Sequence, residues 1–361
     1  MPTNRIIYNN ESLWAGPDGA TGLMTGAGRS INQLHRVQTL NRSFSFTRTN
    51  INQLGQLAAL DTAITEPPGI TLDFSAYAIG VRNASGVGLT VNQGVNCLSG
   101  ILAGVTDDRN YFIAKSSQGL DEQANANAAT RTCLGFGNGF LSSYGVQAAV
   151  GGIATESFTV ECSNMQGYTG ITSQPSPAIN PTGGFQVPAS NTFTIPTAST
   201  GIAGAPTALR YGDITLDISS VNSIDLDETD LKVQSFNINV PLARDSINKL
   251  GSLFPYFKSV QVPVTVTMSV EAIVGDAGTG SLINFLCQDN PFNVTATLNR
   301  PSCPGQTSTV AIQYQLKGAK ITNQSETMSI GPNESVTIEM EAQLGGATDT
   351  NAGLFISGIY A

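Results

Sequence analysis

The chain has 361 residues, room for two domains that each bury a core. Only 12% of them are charged and the formal net charge is −9 with a pI near 4.6, a balance that argues against a tight grip on nucleic acid, which needs Lys and Arg on phosphate. The cysteines (Cys97, Cys133, Cys162, Cys287, Cys303) are odd in number, too sparse for a disulfide scaffold and free of any Cys-x-x-Cys motif, so they are expected to be reduced or buried in a chain folded in a reducing cytoplasm. The start, Met1-Pro2-Thr3-Asn4-Arg5, has no apolar run of the signal-peptide kind, and no stretch reaches the length of a membrane span. The expectation is a protein soluble when made, without membrane insertion. A weakly charged surface also lowers the desolvation cost of pressing large areas together, which hints at a subunit of an assembly.

Residues 1–36 are turn-rich and read as an arm that docks on a neighbour. Ile6-Ile7-Tyr8 suggests a short strand, and Trp14 to Gly19 a series of turns. The Gly-rich run from Gly19 to Gly28 lacks the Lys-Ser/Thr that a phosphate-binding loop needs. From Leu40 the pattern alternates: Leu40, Phe44 and Phe46 share one phase, with Arg42 the exception, and Asn41, Ser43, Ser45 and Thr47 share the other. Period two with one apolar face predicts a half-buried strand. Asn50 is a good helix N-cap, Ile51 and Leu54 follow at helical spacing, and Gly55 suits a left-handed cap, so one or two helical turns or a compact loop are expected there. Pro67 opens the next strand, with Ile70, Leu72 and Phe74 inward and Thr71, Asp73 and Ser75 outward. Residues 81–135 read as Gly- and Asn-rich loops with weak strands, with a short exposed helix at Asp121 to Arg131. Phe140 to Met165 reads as a hairpin turning at Gly151-Gly152, with Phe158, Val160 and Cys162 alternating against Thr159 and Glu161. Tyr168 to Leu209 has no charged residue and is rich in Pro, Ser and Thr. It is the expected linker, ordered along a surface through Phe185, Val187, Phe193 and Ile195. An acidic turn at Asp225, Asp227, Glu228 and Asp230 lacks the spacing and glycine of a calcium loop.

Much of the second part repeats the first. At an offset of 196, from Val37 to Val233, the chain matches without a gap at Val37/Val233, Gln38/Gln234, Asn41/Asn237, Arg48/Arg244, Ile51/Ile247, Asn52/Asn248, Leu54/Leu250, Gly55/Gly251, Leu57/Leu253, Pro67/Pro263, Thr71/Thr267 and Ala76/Ala272. Average composition gives roughly two or three such identities by chance. The strand phases return too: Phe236, Ile238, Val240 and Leu242 against Asn237 and Asn239, then Val266, Met268 and Val270 against Thr267, Ser269 and Glu271. Ser246 stands where the helix cap is expected, and Pro241 is expected at an edge, bulge or bend. Glu156 to Glu161 echoes as Glu334 to Glu339 at an offset of 178, which leaves 18 extra residues (196 less 178) in the first copy. A repeat of this length implies a duplicated structural unit. The expected fold is mainly β: an N-terminal arm (1–36), two tandem β-sandwich or barrel domains (37–167 and 212–361) each with a short flanking helix, and a long Pro/Ser/Thr-rich linker (168–211).

Chemistry is sparse. The only histidine is His35, and no nucleophile elbow, phosphate loop or metal-ligand spacing is present. Glu156 and Glu161 are the obvious carboxylate pair for a glycosidase, but their recurrence on amphipathic strands favours a solvated or channel-facing role. No enzyme activity, cofactor or metal is expected.

With its repeated Arg-x-x-Ile-Asn-x-Leu-Gly-x-Leu block, flanking strands and later hairpins (Phe140–Met165 and Ala319–Gln343), the chain resembles the tail tube proteins of long-tailed bacteriophages, in the form that carries two tube domains in one chain. The resemblance implies six domains per ring, hence trimeric pseudo-sixfold rings that stack around a tape-measure protein. It also implies contacts with other tail proteins and passage of genomic double-stranded DNA through the lumen without sequence recognition. The polar phases (Asn41, Ser43, Asp73; Asn237, Asn239, Glu271) would line that lumen. Arg48, Ile51, Leu54, Gly55 and their repeats Arg244, Ile247, Leu250 and Gly251 would lie at domain or ring interfaces. A rival reading is a fibre or adhesin module, monomeric or compactly trimeric.

Overall fold

The computed structural model describes residues 11–17, 31–116, 122, 131–179, 192–196, 209, 211–218, 231–252, 254–255, 257–274, 291–300, 309–327 and 335–360. It is mainly β, and most strands join one 15-stranded antiparallel sheet. The first half runs β1 (Glu11–Gly16), β2 (Asn32–Gln33), β3 (Val37–Ser45), β4 (Arg48–Ile51), β5 (Asp61–Ile64), β6 (Gly69–Tyr77), helices α1 (Arg82–Gly86) and α2 (Ser99–Leu102), β7 (Asp108–Lys115), β8 (Thr132–Ala149), β9 (Thr155–Cys162) and β10 (Asn164–Thr169). Two short strands follow, β11 (Gln174–Pro175) and β12 (Thr192–Phe193). The second half has β13 (Ile214–Ile218), β14 (Leu231–Pro241), β15 (Arg244–Ile247), β16 (Phe257–Val260), β17 (Thr265–Val274), β18 (Phe292–Asn299), β19 (Val310–Thr327), β20 (Ser335–Gln343) and β21 (Gly353–Gly358).

Both halves pair their strands in the same order. The first reads β1-β7-β8-β9-β6-β3 with β10 also on β8; the second reads β13-β18-β19-β20-β17-β14 with β21 also on β19. Strands β8 and β19 are each 18 residues long, enough to serve two layers. The start of β8 pairs with β7 and β10, and its end with β9 and β14. The start of β19 pairs with β18 and β21, and its end with β20. The step between layers coincides with a register shift in each: Leu141/Ser143 in β8 and Ile321/Asn323 in β19. Extra residues of this kind bend a strand and turn it onto a second sheet.

Register corrects one expectation. Asp73 stands opposite Thr159, and Ser269, its counterpart at offset 196, stands opposite Glu339. By position in the sheet the later strands therefore match at an offset of 180 (Thr159 to Glu339), not 178, and the two offsets differ by 16 (196 less 180), not 18. Glu156 answers to Val336, not to Glu334. A slip of two preserves which face every side chain occupies, so the alternation alone could not fix it.

The two halves are joined by strand pairing. β14 of the second half lies antiparallel to the end of β8, with Asn237 opposite Gln147 and Asn239 opposite Gly145. Beneath them runs one continuous core: Leu72, Phe74, Phe158, Val160, Tyr144 and Val146 from the first half, and Ile238, Met268, Val270, Ile338 and Tyr314 from the second. The α1–α2 segment is wedged against the second half. Val81 donates its N–H to Ile359 O at 3.0 Å and Cys97 to Leu354 O at 2.7 Å. Asn96 reaches Gly346 O at 2.9 Å. A smaller core on the other face of β7 and β8 collects Trp14, Ile31, Phe112, Tyr168, Phe193 and Ile195. The Phe193 ring lies tilted against Phe112 at 4.3 Å and edge-on to Tyr168 at 5.0 Å. Burial of each such side chain contributes about 1.5–3 kcal/mol, which holds Phe193 and Ile195 against β7 and β8. Phe185 and Val187 lie outside the described residues, as do Ile6–Tyr8, the Gly-rich run, the acidic turn and nearly all of Asp121 to Arg131.

Several local expectations fail. Of the alternatives expected at Asn50–Gly55 and Ser246–Gly251, helical turns or a compact loop, the helix does not form: each block starts on a strand and runs into the turn of a β-hairpin, β4–β5 or β15–β16. A single turn of helix needs a core to receive its apolar stripe, and Leu54 and Leu250 have none, being fully exposed. The glycines do adopt the left-handed conformation foreseen for them (φ +88° at Gly55, +83° at Gly251), but as hairpin turns. The short helices are α1 and α2, in the stretch expected to be loops and weak strands. Trp14 to Gly16 are strand, not turn. The described part of the N-terminal arm pairs with the chain's own β7. Strand β3 is not half-buried: Phe44 is 59% and Phe46 48% exposed. Its counterpart β14 has β8 along its outer side, and β3 has no described strand there. Pro241 ends β14, and the next residue, Leu242, donates its N–H to Ser142 O at 2.9 Å.

Candidate functional site

The feature that gathers the predicted residues is one face of the sheet β3-β6-β9-β8-β14-β17-β20-β19. Residues directly opposite one another across strands share a face. One row runs Asn41, Asp73, Thr159, Ser143 and Pro241. The next runs Thr39, Ser75, Ser157, Gly145, Asn239, Thr267, Glu341 and Lys320. A third carries Gln147, Asn237, Ser269, Glu339 and Asn323. Asn41, Ser43, Asp73, Asn237, Asn239 and Glu271 therefore all stand on the same face, although they come from four strands and both halves. Short hydroxyl contacts tie it laterally: Thr39 to Ser75 at 2.6 Å, Ser43 to Thr71 at 2.5 Å. Ser235 donates to Glu271 at 3.1 Å and Asn323 to Glu339 at 3.3 Å. Asp73, Glu161, Glu271, Glu339 and Glu341 stand on this face against Lys232 and Lys320, so its field is acidic. The opposite face is the apolar core.

Glu156 is not on this face, contrary to its expected pairing with Glu161. Five residues apart on a strand, the two must point to opposite sides. Glu156 is buried in the core, where its Oε1 accepts from the Tyr144 hydroxyl at 2.8 Å and the Tyr314 hydroxyl at 3.2 Å. Burial pushes its carboxyl up to about 7, against the pull of those two donors. Tyr314 belongs to the second half, so the carboxyl sits at the seam between halves. Glu161 lies on the polar face and accepts from Lys258 Nζ at 3.2 Å.

The two hairpins have unlike surroundings. Hairpin β15–β16 folds over the joint between halves. Arg244 there donates through Nε to Leu141 O at 2.9 Å, and through Nη1 to Lys258 O at 3.0 Å and Asp107 at 2.6 Å. Its guanidinium lies 5.2 Å from the Phe140 ring, and Phe257 meets Phe140 edge-on at 6.1 Å. Burial raises the Asp107 carboxyl pKa while Arg244 pulls it back. Hairpin β4–β5, built from the same sequence block, projects into solvent. Arg48, Ile51, Leu54 and Gly55 are exposed, with Leu57, Leu60 and Ile64 adding to the apolar surface. At the tip of the second hairpin Ile247, Leu250 and Gly251 are exposed as well. The interface candidates thus fall into a buried member, Arg244, and exposed members around both hairpin tips.

Among the described residues no group of three His, Cys, Asp or Glu could hold a metal ion. Cys97, Cys133 and Cys162 are buried free thiols, raised by burial out of the reactive range. Sequence reasoning missed the Arg244–Asp107 contact, which spans 137 residues and leaves no local signal. It also missed Glu341 as a member of the polar face, which the alternation of β20 does contain, whereas Glu339 stands on that face in line with the solvated or channel-facing role expected for it. No family model matches the chain, and no curated protein matches it.

Proposed function

We propose that this chain is a structural virion protein that polymerises head-to-tail into trimeric, pseudo-sixfold rings, and that stacked rings form the tail tube of a long-tailed bacteriophage. On this reading the two halves are copies of one tube unit, fused so that three polypeptides make a six-membered ring. The observation that carries it is the strand pairing of β8 with β14. It makes one half the edge-to-edge neighbour of the other, with a single polar face running across eight strands. A unit that joins its like by strand pairing leaves the same two kinds of edge at its ends, and such a heterologous contact must either close or propagate.

The dimensions support the reading. Three chains would bring about 24 strands around the lumen; at about 4.8 Å per strand and a tilt of about 40° the perimeter is about 150 Å and the backbone diameter about 48 Å. Side chains reaching about 5 Å inward leave a channel of about 38 Å, wide enough for a DNA duplex. A hydroxyl- and amide-rich wall on which carboxylates outnumber the lysines Lys232 and Lys320 repels phosphate on balance, so DNA and a tape-measure protein would slide. The exposed apolar hairpin β4–β5 suits a contact with a neighbouring ring or subunit. Negative-stain electron microscopy of the purified protein tests this: hollow tubes with sixfold-like end views are expected. Monomers or compact particles across a concentration series would reject it.

A further inference from the structure

The joint inside the chain supplies a template for the joint between chains; this step rests on the tube reading above and adds which edges meet, in what register and through which charges. Among the described strands, β3 is paired only with β6, and the end of β19 only with β20. β3 is the counterpart of β14 at an offset of 196 and β19 is the counterpart of β8 at 180. Applying both offsets to the internal β14–β8 register places Asn41 opposite Thr327, Ser43 opposite Ser325 and Ser45 opposite Asn323 of a second copy.

The same transfer places Arg42 opposite Glu326. Their counterparts in the internal joint are Ile238 and Val146, both fully buried. Arg42 and Glu326 are exposed in the single chain; Arg42 breaks the apolar phase of β3, and Glu326 follows Gln324 in the phase of β19 that stands opposite the buried Ile338 and Val336. A second pair changes likewise. Phe257 and Phe140, which meet at 6.1 Å in the internal joint, answer to Asp61 and Lys320. In each case an apolar pair in the internal joint is replaced by opposite charges: Arg42 on β3 against Glu326 on β19, and Asp61 on the hairpin that follows β3 against Lys320 on β19.

We infer that β3 of one copy pairs antiparallel with the end of β19 of the next, in this register, and that Arg42–Glu326 is the contact that selects it. Opposite charges across an antiparallel pair favour it, and like charges oppose it. Pairing β3 with β3 would bring Arg42 near Arg42, and β19 with β19 would bring Glu326 near Glu326. The arrangement therefore rejects symmetric dimers and selects the head-to-tail joint that a ring requires.

Charge reversal tests it. Arg42→Glu and Glu326→Arg should each raise the concentration needed for assembly on the order of tenfold or more, with circular dichroism and melting unchanged. The double variant Arg42→Glu/Glu326→Arg should assemble as the wild type does. A mixture of the two single variants should pair alternately, so rings of three cannot close from it. A chain carrying both Ser43→Cys and Ser325→Cys should form intermolecular disulfides on oxidation, and neither single variant should. If wild-type tubes form but the single reversals assemble normally, or the cysteine pair does not cross-link, the register is overturned and the tube reading stands. A wild type that never assembles overturns both.

Discussion

Replacing Glu156 by Gln should stabilise the protein above neutral pH and have little effect near pH 4. The carboxyl is fully buried, and burial lifts it from its ordinary value of 4.5 to about 7. Tyr144 and Tyr314 are themselves held well above the usual phenol range by burial, so both stay donors throughout. The folded chain keeps the Glu156 proton up to about pH 7, and the unfolded chain releases it near 4.5. Between those values the folded state binds more protons, so stability falls as pH rises, then levels off above 7. At 1.36 kcal/mol per unit the loss comes to about 3 kcal/mol. Gln presents the same acceptor to both tyrosines and carries no charge at any pH. Denaturant titration of both proteins from pH 4 to 8 measures the effect, because other carboxyls cancel in the difference. The variant should gain about 3 kcal/mol on the wild type across that range. A difference that does not change with pH, or that shrinks as pH rises, refutes the assignment of a buried protonated carboxyl at the seam.

The repeated arginines should behave oppositely. Arg244→Met leaves Asp107 buried without its cation and should cost about 3–5 kcal/mol of stability, whereas Arg48→Met, on an exposed hairpin, should change stability by less than about 0.5 kcal/mol and weaken assembly instead; denaturation and electron microscopy separate the two. Leu54→Ser with Leu57→Ser should leave the melting temperature within a degree or two, since neither side chain is buried, and should shorten or abolish tubes. Gly137→Ala should destabilise by about 1–3 kcal/mol, because a Cβ there would overlap the carbonyl of Pro177; calorimetry reads this directly.

What could be read from sequence was what local periodicity and self-similarity encode. Alternation named the inward set Ile70, Leu72, Phe74 and its repeat Val266, Met268, Val270, and all six are buried. The outward set proved to share one face of one sheet, because opposite residues in register must do so. What failed depends on partners distant in sequence. Ile51 and Leu54 at helical spacing suggested a turn of helix, but Asp61 to Ile64 pair with β4 and make it a strand. Glu156 looks solvated in sequence because nothing nearby announces Tyr314, 158 residues away. The α1–α2 segment, Gly- and Asn-rich, is held by the second half's Leu354, Gly346 and Ile359, which no window around residue 90 contains.

The different composition of the internal and proposed external joints follows from how each would form. The internal joint closes within one chain, where its two edges cannot separate. Burying Ile238 against Val146 and Phe257 against Phe140 there risks no wrong partner. A joint between copies must form by encounter, and until then its edges face solvent beside other open edges. A bare apolar edge in that position invites indiscriminate pairing. Arg42 on one edge and Glu326 on the other keep each soluble, and each is mismatched with itself and matched with the other. On the proposed assembly, charge that weakens the fit of β3 as a half-buried strand would serve the joint, and the exposed Phe44 and Phe46 would supply apolar area once the edge is covered. If that is the division of labour, Arg42→Leu should leave the monomer folded but make it aggregate without order, whereas Arg42→Glu should keep it dispersed. Light scattering at matched concentrations distinguishes the two outcomes, and ordered tubes from Arg42→Leu would refute the selective role of the charge.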